Sequence, residues 1–306
     1  MIDHPPYLKR GSLIGITCPA GYVSNERVSA ALDVLQLWGF RVKVGATVGN
    51  EHFYFSGTDE ERLRDLQQML DDPSIDAILM GRGGYGMSRI IDQVDFTGFM
   101  RKPKWVCGFS DITVLHSHIQ AISGIPTLHS PMCGALKPEL INEEHILNFF
   151  AAITGESLYY HMPVSPYNRI GKSEGILTGG NLAILAHLTG SASEVNMDGK
   201  ILFIEDIGEH LYQVDRLMLN LKRAGKLDHL KGLIVGDFTE LEDTERPFGQ
   251  TLEEIIADKV KEYDYPVCFG MPVGHGPVNY SLTLGMNHRL IVTEQGGQLE
   301  IRRQHT

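Results

Sequence analysis

The sequence predicts an α/β protein in two parts: an amino-terminal parallel sheet with helices on both faces, and a carboxyl-terminal mixed α/β domain. Three observations carry this. From residue 11 to about 130, short apolar runs alternate with stretches of helical spacing, the pattern of strand–helix–strand units. Around Pro138 to Ile170 the alternation lapses into Gly, Pro, Ser and Tyr, and it resumes near Gly175. The last segments, LTLGMN, HRLIVTE and QLEIRR, alternate like short antiparallel strands. The domain limits read in this way are 1–150, a connection over 151–174, and 175–306.

Each element has a local cause. GSLIGITC (Gly11 to Cys18) reads as a buried first strand that ends in a Pro-Ala-Gly turn. Ser24 caps a helix through Ala31, Leu32, Leu35 and Leu37, which Gly39 stops, and RVKVG forms the second strand. Thr58 to Glu61 opens a helix with acidic residues in its first turn, where they complement the dipole, and Leu63, Leu66 and Leu70 follow. DAILM is the third strand and empties into GRGGYG, with a helix over Ser88 to Val94 after it. Glu139 to Phe150 reads as helical. In the second part, LAILAHL after the turn Thr178-Gly179-Gly180-Asn181, Tyr212 to Arg223, and the stretch through Leu252, Ile255 and Ile256 are helices, and KILFIE, GLIVGDF and PVCFG are strands.

Composition narrows the function. The 306 residues carry 38 acidic against 27 basic side chains, a net charge of −11, with no run of Lys or Arg, which argues against nucleic acid as a partner. No apolar stretch approaches the length of a membrane span, and the amino terminus lacks the order of a secretory signal. Cys18, Cys107, Cys133 and Cys268 are scattered, without metal spacing or a disulfide framework, which fits a reducing cytoplasm.

The stretch KWVCGFSDITVLHSHIQAIS, Lys104 to Ser123, is the most informative. An apolar run reaches Gly108-Phe109-Ser110-Asp111, and helical spacing then passes through Ile112, Leu115, Ile119 and Ile122. Ser110 therefore sits at a strand-to-helix turn, the position of an activated nucleophile, although Ile112 stands where a G-x-S-x-G elbow has its closing glycine. The plainer reading is that Ser110 and Asp111 cap the helix.

GRGGYG at Gly81 to Gly86 fits G-x-G-x-x-G after a strand, with Asp111 at the spacing of a ribose acid, so a dinucleotide site has to be weighed. Two strands already precede it, whereas that fingerprint normally closes the first. A third reading is that these glycines let backbone N–H groups approach a reacting oxygen beside Ser110. A serine nucleophile needs a base, and of the 13 histidines His275, in the loop GMPVGHGPVN past an apolar strand, is the best placed. His116 and His118, two apart on a helix, face different ways and make a poor metal pair, and His187 reads as an ordinary core or surface histidine. LFIEDIGEH offers Glu205, Asp206 and Glu209 as the orienting acid. Glu205, at the end of a strand, is preferred, and spacing leaves Glu209 open.

Taken together, RGGYG (Arg82 to Gly86), CGFSD (Cys107 to Asp111), SPM (Ser130 to Met132), GGNL (Gly179 to Leu182), LFIEDIGEHLYQVDRLM (Leu202 to Met218) and GH (Gly274 to His275) resemble the LD-carboxypeptidase family of serine peptidases, in order over nearly the whole chain. The resemblance implies a Ser-Glu-His triad on Ser110, Glu205 and His275, with an oxyanion site from the backbone N–H groups of Gly84 and Asp111. It implies an active site at the domain interface, a likeness to muramoyltetrapeptide carboxypeptidases that release terminal D-alanine from cytoplasmic murein tetrapeptides, and a homodimer. No cofactor and no metal enter this reading, and the partner is a small peptide or muropeptide, with neither nucleic acid nor membrane. A related branch hydrolyses peptidyl or aminoacyl nucleotides as a microcin-type immunity amidase, and a non-catalytic nucleotide-binding module is the reading outside enzymes. Thr178 stands where some members carry a bulkier aromatic residue, and Tyr159, Tyr160 and Tyr167 are candidates for a substrate wall.

Overall fold

The structure is a computed structural model and describes residues 4–302. The chain divides into two compact units, one reaching Ser157 and taking back Tyr280–Thr283, the other made of Leu158–Asn279 and the chain from Leu284 onward.

The first unit is built from β1 (Leu13–Thr17), α1 (Asn25–Leu37), β2 (Arg41–Val44), α2 (Asp59–Asp71), β3 (Ala77–Met80), α3 (Met87–Ile90), α4 (Thr97–Arg101), β4 (Trp105–Gly108), α5 (Thr113–Ser123), β5 (Thr127–His129) and α6 (Glu144–Thr154). β1 pairs in parallel with β2 and β3, β3 with β4, and β4 with β5, in register Ile16↔Leu79, Leu79↔Cys107 and Gly108↔His129. β3 and β4 are buried along their whole length, as strands covered on both faces must be, and they read as continuous apolar runs for that reason. The spatial order 2-1-3-4-5 winds outward in both directions from β1 and β3. In such sheets the crevice at the carboxyl ends of those two strands is where ligands bind. The helix starts follow the sequence signals: Ser24 accepts from the Arg27 N–H, and Thr58 and Glu61 form a reciprocal capping box.

The second unit holds β6 (Tyr159–Met162), β7 (Gly171–Asn181), α7 (Leu182–His187), β8 (Ile201–Ile207), α8 (Leu211–Arg223), β9 (Gly232–Thr239), α9 (Leu252–Val260), β10 (Val267–Phe269), β12 (Asn287–Thr293) and β13 (Gly296–Ile301); the intervening β11 (Leu282–Leu284) joins the first sheet beside β5. Its seven strands run in the order β10-β9-β8-β7-β12-β13-β6. β7 to β10 are parallel, whereas β12 pairs antiparallel with β7 and β13, and β13 with β6, which makes the sheet mixed. α8 buries Val214, Met218 and Leu221, an i, i+4, i+7 stripe, against Leu202, Ile204, Leu233 and Val235.

Two regions differ from the pattern the sequence suggests. Of the stretch 151–174, α6 occupies the start to Thr154, and Tyr159–Met162 is a strand with Tyr160 and Met162 buried and Tyr159 and His161 outside. That period-2 alternation is the mark of an edge strand, and the Gly and Pro around it conceal it. LTLGMN does not continue the antiparallel tail, because Leu282–Leu284 pairs in the other sheet and Ser281 N–H donates to Asn148 Oδ1 at 2.7 Å.

Candidate active site

In the first unit β4 ends at Gly108, and Ser110–Ile112 forms a single 3-10 turn before α5. Ser110 has φ +64°, a left-handed conformation that costs an L-residue about 1–2 kcal/mol. Ile112, in place of an elbow glycine, is fully buried and anchors the turn. The turn is also held from behind. His116 Nε2 lies 2.8 Å from the Gly108 carbonyl, and burial lowers this ring to about 4, so it stays neutral and donates that bond at ordinary pH.

GRGGYG lies against this turn. A Cβ on Gly83 would stand 3.0 Å from Ser110 Cβ and 3.3 Å from Ser110 Oγ, so any larger residue would push the serine turn back by a few tenths of an ångström. The Gly83 carbonyl accepts from the Gly21 N–H at 2.9 Å, which joins the turns that follow β1 and β3. Asp111 is buried, and its Oδ2 accepts from the Met87 N–H at 2.8 Å, so its carboxylate locks the far end of the glycine turn to the serine loop. That bond removes the ribose-acid role of a dinucleotide site. The helix after GRGGYG is only four residues long, too short to offer the N-terminal field such a site uses. The glycines instead serve close approach.

Arg62 was not foreseen. It is fully buried, donates from Nη1 to the carbonyls of Pro19 and Gly86 and from Nε to that of Gly57, pairs with Asp59, and lies 4.7 Å from the centre of the Phe55 ring. The only sequence signal was a cation three residues after an aspartate.

In the second unit, His275 Nδ1 is 2.7 Å from Glu205 Oε2. Glu205 is wholly buried; desolvation pushes its carboxyl above the usual range, and the imidazole opposes that shift. A bulge sets its position. Ile204 pairs with Val235 but Asp206 with Phe238, so two residues of β9, Gly236 and Asp237, oppose Glu205. Gly274 (φ +142°) carries the histidine loop over the carboxylate, and a Cβ there would come within 3.0 Å of Glu205 Oε2. Asp237, also unforeseen, accepts from the Gly276 N–H and is raised by burial, which holds the other side of His275. Asp206 is taken up elsewhere: it accepts from Asn181 Nδ2 at 2.8 Å and from the Ala183 N–H at 2.9 Å, capping α7. Glu209 lies beyond the strand, and its backbone carbonyl accepts from the Glu242 N–H. Among the three acids the sequence offered, Glu205 is the one bonded to His275. His116 and His118 are buried on α5, and His187 is exposed at the end of α7. Among the described residues no group of His, Cys, Asp and Glu could hold a metal, and the four cysteines are free and buried.

Residues 14–130 match the LD-carboxypeptidase N-terminal domain, and residues 174–290 match the LD-carboxypeptidase C-terminal domain. The probable murein peptide carboxypeptidase of Bacillus subtilis is 33% identical over 302 residues, 97% of this chain and 94% of that one. This chain belongs to the LD-carboxypeptidase family. The crystal structure of muramoyltetrapeptide carboxypeptidase from Oxalobacter formigenes superposes on this LD-carboxypeptidase with a TM-score of 0.85 at 29% identity, covering 96% of this chain and all of that one. The microcin C7 self-immunity protein of Escherichia coli is 27% identical over 347 residues, 96% of this chain and 98% of its own. Among the described residues no helix is long and apolar enough to cross a membrane.

Proposed function

We propose that this LD-carboxypeptidase is a serine peptidase that cleaves the L,D amide bond and releases terminal D-alanine from murein tetrapeptides. The observation that carries the proposal is the bond between fully buried Glu205 and His275 Nδ1. With Nδ1 committed to a carboxylate, Nε2 is the nitrogen that takes a proton. In this mechanism His275 Nε2 removes the Ser110 proton as Oγ bonds to the scissile carbonyl carbon. The backbone N–H groups of Gly84 and Asp111 receive the oxyanion, and Glu205 stabilises the imidazolium. The imidazolium returns the proton to the departing amine of D-alanine, and water, deprotonated by the same ring, resolves the acyl-enzyme. The positive φ of Ser110 and the approach of Gly83 to its Oγ support Ser110 as nucleophile.

The protein works in the cytoplasm as a homodimer in peptidoglycan recycling, without nucleic acid as a partner. The acidic balance of −11 supports the absence of nucleic acid, the murein-related names of its relatives support peptidoglycan recycling, and four free, buried cysteines fit a reducing compartment, while the homodimer rests on the family resemblance alone. Ser110→Ala decides the mechanism. Release of D-alanine from a murein tetrapeptide falls by several decades while the melting profile is kept, and normal turnover would refute it. The full-length match to the microcin C7 self-immunity protein supports a second reading, hydrolysis of aminoacyl nucleotides. Parallel assays with a tetrapeptide and an aminoacyl sulfamoyl adenosine separate the two.

A further inference from the structure

Two peptide planes stand in series behind the glycine turn. The Ser56 N–H donates to the Ala20 carbonyl at 3.2 Å, and the Gly21 N–H donates to the Gly83 carbonyl at 2.9 Å. In a trans peptide the C=O and the N–H that follows it lie in one plane and point opposite ways. The direction of the Gly83 carbonyl therefore fixes that of the Gly84 N–H. Gly84 is exposed, and among the described residues no acceptor meets its N–H. The series ends on an open donor, one residue from the glycine that lies against Ser110.

One side chain touches all three segments of this series. Arg62 Nε donates to the Gly57 carbonyl at 3.3 Å, next to Ser56. Its Nη1 donates to the Pro19 carbonyl, next to Ala20, and to the Gly86 carbonyl at 3.1 Å, two residues past Gly84. Gly86 has φ +147°, and a Cβ there would stand 2.7 Å from that Nη1. Stability alone accounts poorly for a fully buried cation at this place. Its counter-charge, Asp59, is partly exposed and shared with Arg89, whose Nη2 lies 2.6 Å from Oδ2. A buried charge so paired stabilises weakly, and an apolar side chain could fill the space. A rigid fork of donors is what three carbonyls from three segments require.

We propose that Arg62 is a positioning residue for the oxyanion site: it holds the loop after β1, the loop before α2 and the glycine turn in register, and so aims the Gly84 N–H at the carbonyl oxygen of the bond that Ser110 attacks. The inference rests on the peptidase reading above. Arg62 touches no reacting atom, and its effect passes through the Gly21 to Gly83 bond and the two peptide planes that the bond joins. Glycines at 83, 84 and 86 leave that turn free to rotate, so its aim has to be imposed from outside.

The test measures kcat and KM for D-alanine release from a murein tetrapeptide, per folded molecule, in the wild type, Arg62→Met and Arg62→Lys. The Gly84 amide resonance is followed in the same proteins labelled with 15N-glycine. Arg62→Met keeps the length of the side chain without its donors. It lowers kcat about tenfold to a hundredfold with KM within about twofold, because a misaimed donor is missed only where charge develops, and it displaces the Gly84 resonance. Arg62→Lys keeps the charge but loses the fork, falls between the two, and carries the test if Arg62→Met does not fold. A cation needed for stability alone would lower Tm while kcat per folded molecule and the Gly84 resonance stayed as in the wild type, and that result overturns the proposal. A loss confined to KM overturns it too, as does a fall in kcat with the Gly84 resonance unmoved. A wild type that releases no D-alanine refutes the peptidase reading, and the Gly84 resonance then judges Arg62 by itself.

Discussion

Glu205 Oε2 lies 2.7 Å from His275 Nδ1, and the Glu205 side chain is wholly shielded from solvent while the imidazole keeps some exposure. The two ends of this pair therefore respond differently to mutation. Burial raises the Glu205 carboxyl, so its ionised form is a cost to folding that appears as pH rises through the unfolded range of a glutamate and on to the raised folded value. Glu205→Gln removes the buried charge and leaves His275, which is partly exposed, beside a neutral amide. Calorimetry at pH 7.5 is expected to show a Tm no lower than the wild type, while kcat falls on the order of 10²–10⁴-fold because the tautomer is no longer enforced. A large drop in Tm would contradict this.

Gly83→Ala tests the close approach of the two loops in the first unit. The new methyl would press on Ser110 Cβ at 3.0 Å and on the Phe109 carbonyl at 3.3 Å, both on the strained turn. Gly83 itself is not at positive φ, so backbone strain adds nothing. We expect the fold to be kept, with Tm lowered by a few degrees, and kcat lowered at least tenfold with KM changed less, as measured on a tetrapeptide. An unchanged kcat would mean that the position of Ser110 Oγ is not set by this contact.

The sequence made the serine turn legible because its period changes within a few residues, from the apolar run Trp105-Val106-Cys107 to the spacing Ile112, Leu115, Ile119. It could not separate Glu205 from Glu209. The choice is made by a bulge in β9 at Gly236 and Asp237, and a bulge leaves no mark in the periodicity of its partner strand. Arg62 was hidden for a related reason. Its acceptors are main-chain carbonyls of Pro19, Gly57 and Gly86, which any sequence supplies. β6 was lost because a four-residue strand gives too few alternations to stand out among glycines and prolines, and β11, legible as a strand in LTLGMN, carries no sign of which sheet it joins.

His116 and His288 make the protein sensitive to acid. Both are fully buried and bonded to backbone carbonyls, His116 to Gly108 and His288 to Met286, and burial lowers each to about 4. An unfolded histidine titrates near 6.5, so between about pH 6.5 and 4 the unfolded chain binds more protons than the folded one. Stability is therefore fully present above the unfolded value and is lost as pH falls through this window, by about a factor of ten in the folding equilibrium per pH unit for each ring. Thermal melts from pH 7.5 to 4.5 should show a steep fall. His116→Gln, which keeps a donor for the Gly108 carbonyl without a titrating ring, should flatten it. An equally steep fall in that variant would place the acid sensitivity elsewhere.

Ser110 offers the sharpest separation of function from stability, because its hydroxyl and its backbone make opposite demands. The φ of +64° costs a non-glycine residue about 1–2 kcal/mol, whereas glycine adopts it freely but loses about 0.5–1 kcal/mol in additional chain entropy on folding. The difference leaves Ser110→Gly more stable than Ser110→Ala by up to about 1.5 kcal/mol, or about 1–4 °C in Tm for a chain of this size. Both variants lack the proposed nucleophile, so neither should release D-alanine. Paired melts and assays check both halves of the argument. If the glycine variant melts below the alanine variant, the turn is not strained in the protein. If either variant keeps normal turnover, the attacking group is not the Ser110 hydroxyl, whatever the strain.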